Sequence, residues 1–149
     1  MGKRDKLTGL WDRATFDTDI ELRISEAQQS SNPLALIFSD LDHFKNVNDT
    51  YGHQKGDQVL QNVSACIIKA VESKGEAYRY GGEEIVILLP NHATYEAIAV
   101  AERARIEIEK KPISGISVTA SFGLGILPDH AKTKEELIGK QIVMTIKDV

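Results

Sequence analysis

Two acidic residues behind a pair of glycines carry the strongest chemical signal in this chain. They lie in Arg79-Tyr80-Gly81-Gly82-Glu83-Glu84, backed by the apolar run Ile85-Val86-Ile87-Leu88-Leu89-Pro90. Adjacent glycines between two strand-like segments predict a tight hairpin, since glycine takes positive φ without steric cost. Adjacent acids just after such a turn find no pairing partner in a sheet, and a metal ion is the usual reason for placing them there. A second carboxylate cluster, Ser39-Asp40-Leu41-Asp42-His43-Phe44-Lys45-Asn46-Val47-Asn48-Asp49, follows the strand-length apolar run Leu34-Ala35-Leu36-Ile37-Phe38. Asp40 is therefore expected where a buried strand leaves the sheet, a common location for reactive groups in α/β layers. Asp40 and Glu83 brought together from neighbouring strands would make a hard oxygen site. Such a site suits Mg²⁺ that is also held by a substrate's phosphates.

Two blander readings compete. The acids could be solvated surface charges, but the flanking runs predict buried strands. They could open a calcium loop, but Phe44 and Lys45 fall where an oxygen ligand and the turn glycine belong. A Walker-type glycine loop is also missing, which excludes a P-loop nucleotidase at the level of motifs.

The elements that must position these acids are readable from periodicity. Phe16, Ile20, Ile24 and Ala27 predict an amphipathic helix over residues 13 to 29, ended by Ser30-Ser31-Asn32-Pro33. Val59-Leu60, Val63, Cys66-Ile67 and Ala70-Val71 predict another, capped by Asp57 and stopped at Gly75. Ile98, Ala101, Ala104 and Ile108 predict a third. Val118, Ala120, Phe122, Leu124 and Ile126 alternate with small residues, which predicts a strand with one covered face. This order of elements suits an α/β sandwich whose sheet contains antiparallel strands.

Four spaced motifs resemble those of the GGDEF domain, the catalytic module of diguanylate cyclases. Asp5-Lys6-Leu7-Thr8-Gly9-Leu10-Trp11-Asp12-Arg13 resembles the family's entry motif, with Asp12 where Asn is more usual. Asp40 to Asp49 resembles its metal and phosphate segment, and Tyr51-Gly52-His53-Gln54-Lys55-Gly56-Asp57 its Gly-His-x-x-Gly-Asp segment. Arg79 to Ile85 resembles the signature, with Ile85 where Phe is preferred. The resemblance spans residues 5 to 128 and implies a palm-like, ferredoxin-related fold: a mostly antiparallel central sheet flanked by helices.

The resemblance also implies roles. Asp40, the Leu41 carbonyl and Glu83 would hold Mg²⁺ or Mn²⁺. The backbone N–H groups of residues 42 to 45, His43 and Phe44 among them, would cradle the β- and γ-phosphates of GTP with the Lys45 ammonium. Asn48 and Asp57 match guanine-contacting positions; a carboxylate can accept from N1–H and the exocyclic amine of guanine, a pattern adenine lacks. Either residue read alone is a helix cap. Glu84 would be catalytic, beside the metals or in handling the attacking hydroxyl's proton. The implied enzyme condenses two GTP molecules into cyclic di-GMP across a two-fold homodimer, formed transiently or driven by a partner domain. His53 reads as a packing or hydrogen-bonding residue, and His43, His92 and His130 as surface or loop histidines by their side chains.

Two departures bear on activity. Members with product inhibition carry Arg-x-x-Asp shortly before the signature, where this chain has Glu72-Ser73-Lys74-Gly75, so no primary inhibitory site of that kind is expected. The family closes with a helix bearing a Lys and an Arg that contact the triphosphate. Glu135-Glu136-Leu137-Ile138 resembles its lead-in, but Gln141 to Val149 keeps almost none of it. The C-terminal helix, about 133–149, is thus expected to be divergent or truncated. This opens a second reading, a catalytically impaired domain that binds GTP and regulates a partner domain. A third, a cyclase for a different or mixed dinucleotide, ranks last because Asn48 and Asp57 suit guanine.

Composition sets no obstacle. The 149 residues are expected to form one domain, and 42% hydrophobic content suits a packed core. A net charge of −4 gives no electrostatic case for nucleic acid. The single cysteine, Cys66, can form no internal disulfide and reads as a buried structural thiol. No run reaches transmembrane length and no apolar leader is evident, so a cytoplasmic domain without membrane contact is expected. Because the chain begins close to the entry motif, it is expected to be a domain cut from a larger protein with a sensory or dimerising partner.

Overall fold

The apolar runs that flank the acids become two neighbouring interior strands of one sheet. The computed structural model describes residues 2–110, 112–113, 115–127 and 133–135, and the backbone of 142–144. Their element order is α1 (Arg13–Ser30), β1 (Leu34–Leu41), α2 (Phe44–Tyr51), α3 (His53–Val71), β2 (Glu76–Arg79), β3 (Glu84–Pro90), α4 (Thr94–Lys110), β4 (Ala120–Leu127) and β5 (Ile142–Met144). The sheet runs β2-β3-β1-β4-β5, and each of its pairings is antiparallel. It is the palm-like α/β sandwich expected from the sequence, with helices on both faces. None of the described helices is long and apolar enough to cross a membrane.

Alternation along the strands divides the core. Ala35, Ile37, Ile85, Ile87, Phe122 and Leu124 pack with residues of α3 and α4 such as Leu60, Val63, Ile67 and Val100. Leu34, Leu36, Val86 and Leu88 pack on the opposite face with Phe16, Ile20 and Ile24 of α1. Burying each such side chain contributes about 1.5–3 kcal/mol, so the strands that carry the acids are anchored from both sides.

α1 starts where Asp12 accepts hydrogen bonds from the Thr15 N–H at 2.9 Å and the Thr15 hydroxyl at 2.6 Å, an N-cap contributing about 1 kcal/mol. It ends at Ser31, which adopts the left-handed conformation.

Three sequence expectations are corrected. α3 begins at His53 behind Gly52, whose φ is 88°, and ends at Val71, so Asp57 does not cap it and Gly75 does not stop it. Gly75 instead lies where a Cβ would collide with the Leu88 carbonyl oxygen. β4 is buried on both faces from Phe122 to Leu127, because Gly123 and Gly125 are covered as well as the large residues between them. In the segment expected to be a divergent or truncated form of the family's closing helix, Ile142–Met144 pairs with Phe122, Gly123 and Leu124 as an edge strand. Its Ile-Val start favours a strand. Most of the remainder of that segment, and His130, lie outside the described residues.

Tyr78 ties the first helix to the edge of the sheet. It is fully buried and its hydroxyl donates to Asp19 at 2.7 Å. Burial, and then that hydrogen bond to Asp19, push its phenol far above the usual range. Tyr78→Phe is expected to lower the unfolding free energy by about 1–2 kcal/mol, read from urea denaturation followed by circular dichroism. An unchanged midpoint would show that Asp19 is served as well by water.

Candidate active site

The β1–β3 register places Asp40 directly opposite Glu84, and on its other side Asp40 is paired with Ser121 of β4. Glu83 sits in the loop just before β3. Burial, then the charges of Glu83, Glu84 and Asp42, hold the Asp40 carboxyl above the usual carboxylate range. Like charges directly opposite in a sheet destabilise it, so this edge bears a cost that a bound cation would remove. The available donors, carboxylates and a strand-end carbonyl, are hard oxygens suited to Mg²⁺. Among the described residues, no three His, Cys, Asp or Glu side chains gather at metal-ligating spacing. Asp40, Glu83 and the strand-end carbonyl could supply at most part of a coordination shell.

The loop carrying Glu83 is held by Arg79, the last residue of β2, and through it by the N-terminal segment. The Arg79 guanidinium donates to both Asp5 carboxylate oxygens at 3.2 and 3.1 Å, and to the Gly82 carbonyl at 3.0 Å. It also reaches the Gly81 carbonyl at 3.3 Å. Asp5 accepts further bonds from the Thr8 N–H at 2.9 Å and the Thr8 hydroxyl at 2.7 Å. The loop closes with the N–H of Tyr80 and of Gly81 donating to the Glu84 carbonyl. Neither loop glycine takes positive φ, contrary to the sequence expectation. At Gly81 the Glu84 carboxylate end approaches closely, so a Cβ there would displace that side chain. Gly82 faces open space.

Asp42 was not singled out as a site residue, and the structure gives it a clear task. Its carboxylate accepts from the hydroxyls of Thr119 and Ser121, each at 2.6 Å, and its N–H donates to the Thr119 carbonyl at 2.9 Å. These bonds fasten the β1–α2 turn to the start of β4. His43 then enters the left-handed region at φ 57° and precedes α2 without a side-chain cap. The first N–H groups of α2, including those of Phe44 and Lys45, consequently lack intrahelical partners, as at any helix start. The side chain of Phe44 is half-buried against the core, and Lys45 is exposed.

Asn48 lies half-buried on α2 and Asp57 exposed on α3, two helices joined by Gly52 and packed together. His53 is exposed and makes no side-chain hydrogen bond among the described residues, so the packing role expected for it is corrected. His43 is exposed as expected, and Nδ1 of His92 lies 2.8 Å from the Pro90 carbonyl in the loop after β3.

A family model described as "Diguanylate cyclase, GGDEF domain" matches residues 3–141. The chain belongs to the GGDEF family. It is 36% identical over 124 residues to diguanylate cyclase DosC of Escherichia coli, covering 81% of this chain and 27% of DosC. Among solved structures it resembles the GGDEF domain of DgcB from Caulobacter crescentus in complex with c-di-GMP. That match has 32% identity and a TM-score of 0.78 over 83% of this chain and 76% of that one. It also resembles a GGDEF-only form of TpbB from Pseudomonas aeruginosa, at 31% identity and a TM-score of 0.86 over 92% and 83% of the two chains. The chain spans 37% and 27% of the length of the first curated relatives it matches.

Within this GGDEF domain, Ile85 replaces the more usual Phe inside the buried core, a change of packing next to the acids. Asp5 and Arg79 were visible in the motifs, but their pairing across 74 positions was not. The Asp5-x-x-Thr8 spacing is a recognisable side-chain-to-backbone turn, and it was the available signal. Desolvation raises the Asp5 carboxyl, but the Thr8 hydrogen bonds and the Arg79 charge outweigh it and hold it below its ordinary value of 3.8. A depressed carboxylate stabilises the fold fully above its unfolded pKa and loses that contribution as pH falls through the folded one. Asp5→Asn is therefore expected to destabilise the domain at neutral pH by about 1–3 kcal/mol. It is also expected to flatten the loss of stability below about pH 4. Thermal unfolding of both forms between acid and neutral pH checks this, and parallel curves would remove Asp5 from the acid limb.

Proposed function

We propose that this domain condenses two GTP molecules into cyclic di-GMP as half of a two-fold dimer. The observation that carries the reading is the register that sets Asp40 opposite Glu84 of the signature, with Glu83 beside it, in a GGDEF-family domain. Each GTP 3′-oxygen would bond to the α-phosphorus of the other GTP as the bond from that phosphorus to pyrophosphate breaks. The hydroxyl proton leaves, and two such transfers close the ring. One domain brings one GTP, so the reaction needs a second copy. That copy would be recruited by a sensory or dimerising segment in a longer chain, or by mass action. Such a domain would work in the cytoplasm, where GTP is supplied.

The roles follow from the chemistry of the residues. Asp40, the Leu41 carbonyl and Glu83 would hold Mg²⁺ or Mn²⁺, which when bound lowers the pKa of the attacking hydroxyl and neutralises the leaving group. The N–H groups of residues 43 to 45, with the Lys45 ammonium, would bind the β- and γ-phosphates, while the Asp42 N–H expected to join them is taken by the Thr119 carbonyl. Asn48 and Asp57 would read guanine, Asp57 accepting from N1–H and the exocyclic amine. Glu84 would act at the attacking hydroxyl, receiving its proton or standing beside the cation.

A second reading is a GTP-binding domain with impaired turnover that regulates a partner. It is favoured by β5, a strand at Ile142–Met144 where the family's closing helix with its phosphate-contacting Lys and Arg is expected.

Incubation of concentrated protein with GTP and Mg²⁺, followed by chromatography, is expected to yield cyclic di-GMP and pyrophosphate. No product, with GTP binding intact and dimerisation enforced by a fused coiled coil, would favour the impaired reading. Glu83→Ala is expected to abolish the Mg²⁺-dependent part of GTP binding in calorimetry, and unchanged binding would sink that ligand assignment. Asp57→Ala is expected to erode the preference for GTP over ATP by about tenfold or more. An unaltered ratio would move base recognition elsewhere.

A further inference from the structure

Gly56 sits inside α3, where a glycine is disfavoured. Its φ is not in the positive range, so no backbone conformation calls for glycine there. Alanine at an interior helical position is better by about 0.5–1 kcal/mol. The residue is buried, and the nearest obstacle to a Cβ is the side-chain oxygen of Asn48 from α2, which would overlap it. The next atoms, the Asn48 carboxamide carbon at 3.0 Å and the Phe44 ring at 3.5 Å, belong to the same helix. The Asn48 amide thus rests on the bare Cα of Gly56, next to Asp57 in sequence. Among the described residues that amide has no hydrogen-bond partner, so packing alone sets its direction.

We infer that Gly56 is a specificity-positioning residue: its missing side chain is the seat that aims the Asn48 amide at the base of the bound nucleotide. This rests on the reading of Asn48 as a guanine contact. The colliding atom is the end of a mobile side chain, so a Cβ at position 56 evicts the amide and leaves the helices in place. Gly56→Ala should accordingly separate stability from selectivity, gaining or keeping the first while losing the second.

The test uses 3′-deoxy-GTP and 3′-deoxy-ATP with Mg²⁺, which lack the attacking hydroxyl and so bind without reacting. Calorimetry and thermal unfolding are run on the original chain, Gly56→Ala, Asn48→Ala and the double variant. The expected result is an unfolding midpoint at or above the original in Gly56→Ala, with about tenfold weaker binding of the guanine nucleotide and unchanged binding of the adenine one. In the Asn48→Ala background, adding Gly56→Ala should change neither affinity. Selectivity lost in Asn48→Ala but kept in Gly56→Ala would overturn the seat and leave the guanine reading standing. Selectivity kept in Asn48→Ala would overturn both. A Gly56→Ala protein that unfolds earlier and binds both nucleotides worse would show that the glycine serves helix packing alone.

Discussion

The antiparallel register of β1 against β3 is the constraint on which the candidate site depends. A strand alternates its faces with each residue, so a slip of one position would turn Asp40 away from Glu84 and carry Ile37 and Ile87 out of the core. The apolar residues behind the acids hold the register that sets like charges opposite one another. Core packing here opposes local electrostatics and prevails, because several buried aliphatic side chains outweigh the repulsion of partly solvated carboxylates.

Three fastenings then convert a strained sheet end into a defined surface. Arg79 gathers Asp5 and the loop carbonyls on one side. Asp42 gathers the hydroxyls of β4 on the other. Beneath the loop, Phe38 meets Tyr80 edge to face at 5.0 Å, and Arg13 stacks over Tyr80 at 3.7 Å. Each links segments distant in the chain, so the loop is ordered by tertiary structure more than by its own sequence.

Legibility in the sequence followed the range of the interaction. The apolar runs, α1 and the hairpin were readable because period and turn chemistry are local, and the four motifs led to the family. The Asp42 fastening was not, since Thr119 and Ser121 lie 77 and 79 positions away. The start of α3 was misplaced because Asp57 has the chemistry of a cap, whereas Gly52 does the work through φ 88° and offers no side chain to notice. Gly123 and Gly125 suggested a solvated face, and only the assembled layers reveal that they are covered. At Gly81–Gly82 the expected turn is present without positive φ, closed by the Tyr80 and Gly81 N–H groups on the Glu84 carbonyl.

Gly52 divides the candidate site into two parts with different mechanical character. On one side are acids fixed to the middle of a sheet; on the other are α2 and α3, joined through a single residue with no side chain. Changes to the residues presented by that helix pair leave the β1–β3 register untouched. Under the proposed function, Lys45, Asn48 and Asp57 would all belong to the helix pair, and the cation-holding acids to the sheet. If the proposed roles hold, substitutions on the two helices would change how base and phosphates are held without displacing the acids of the sheet.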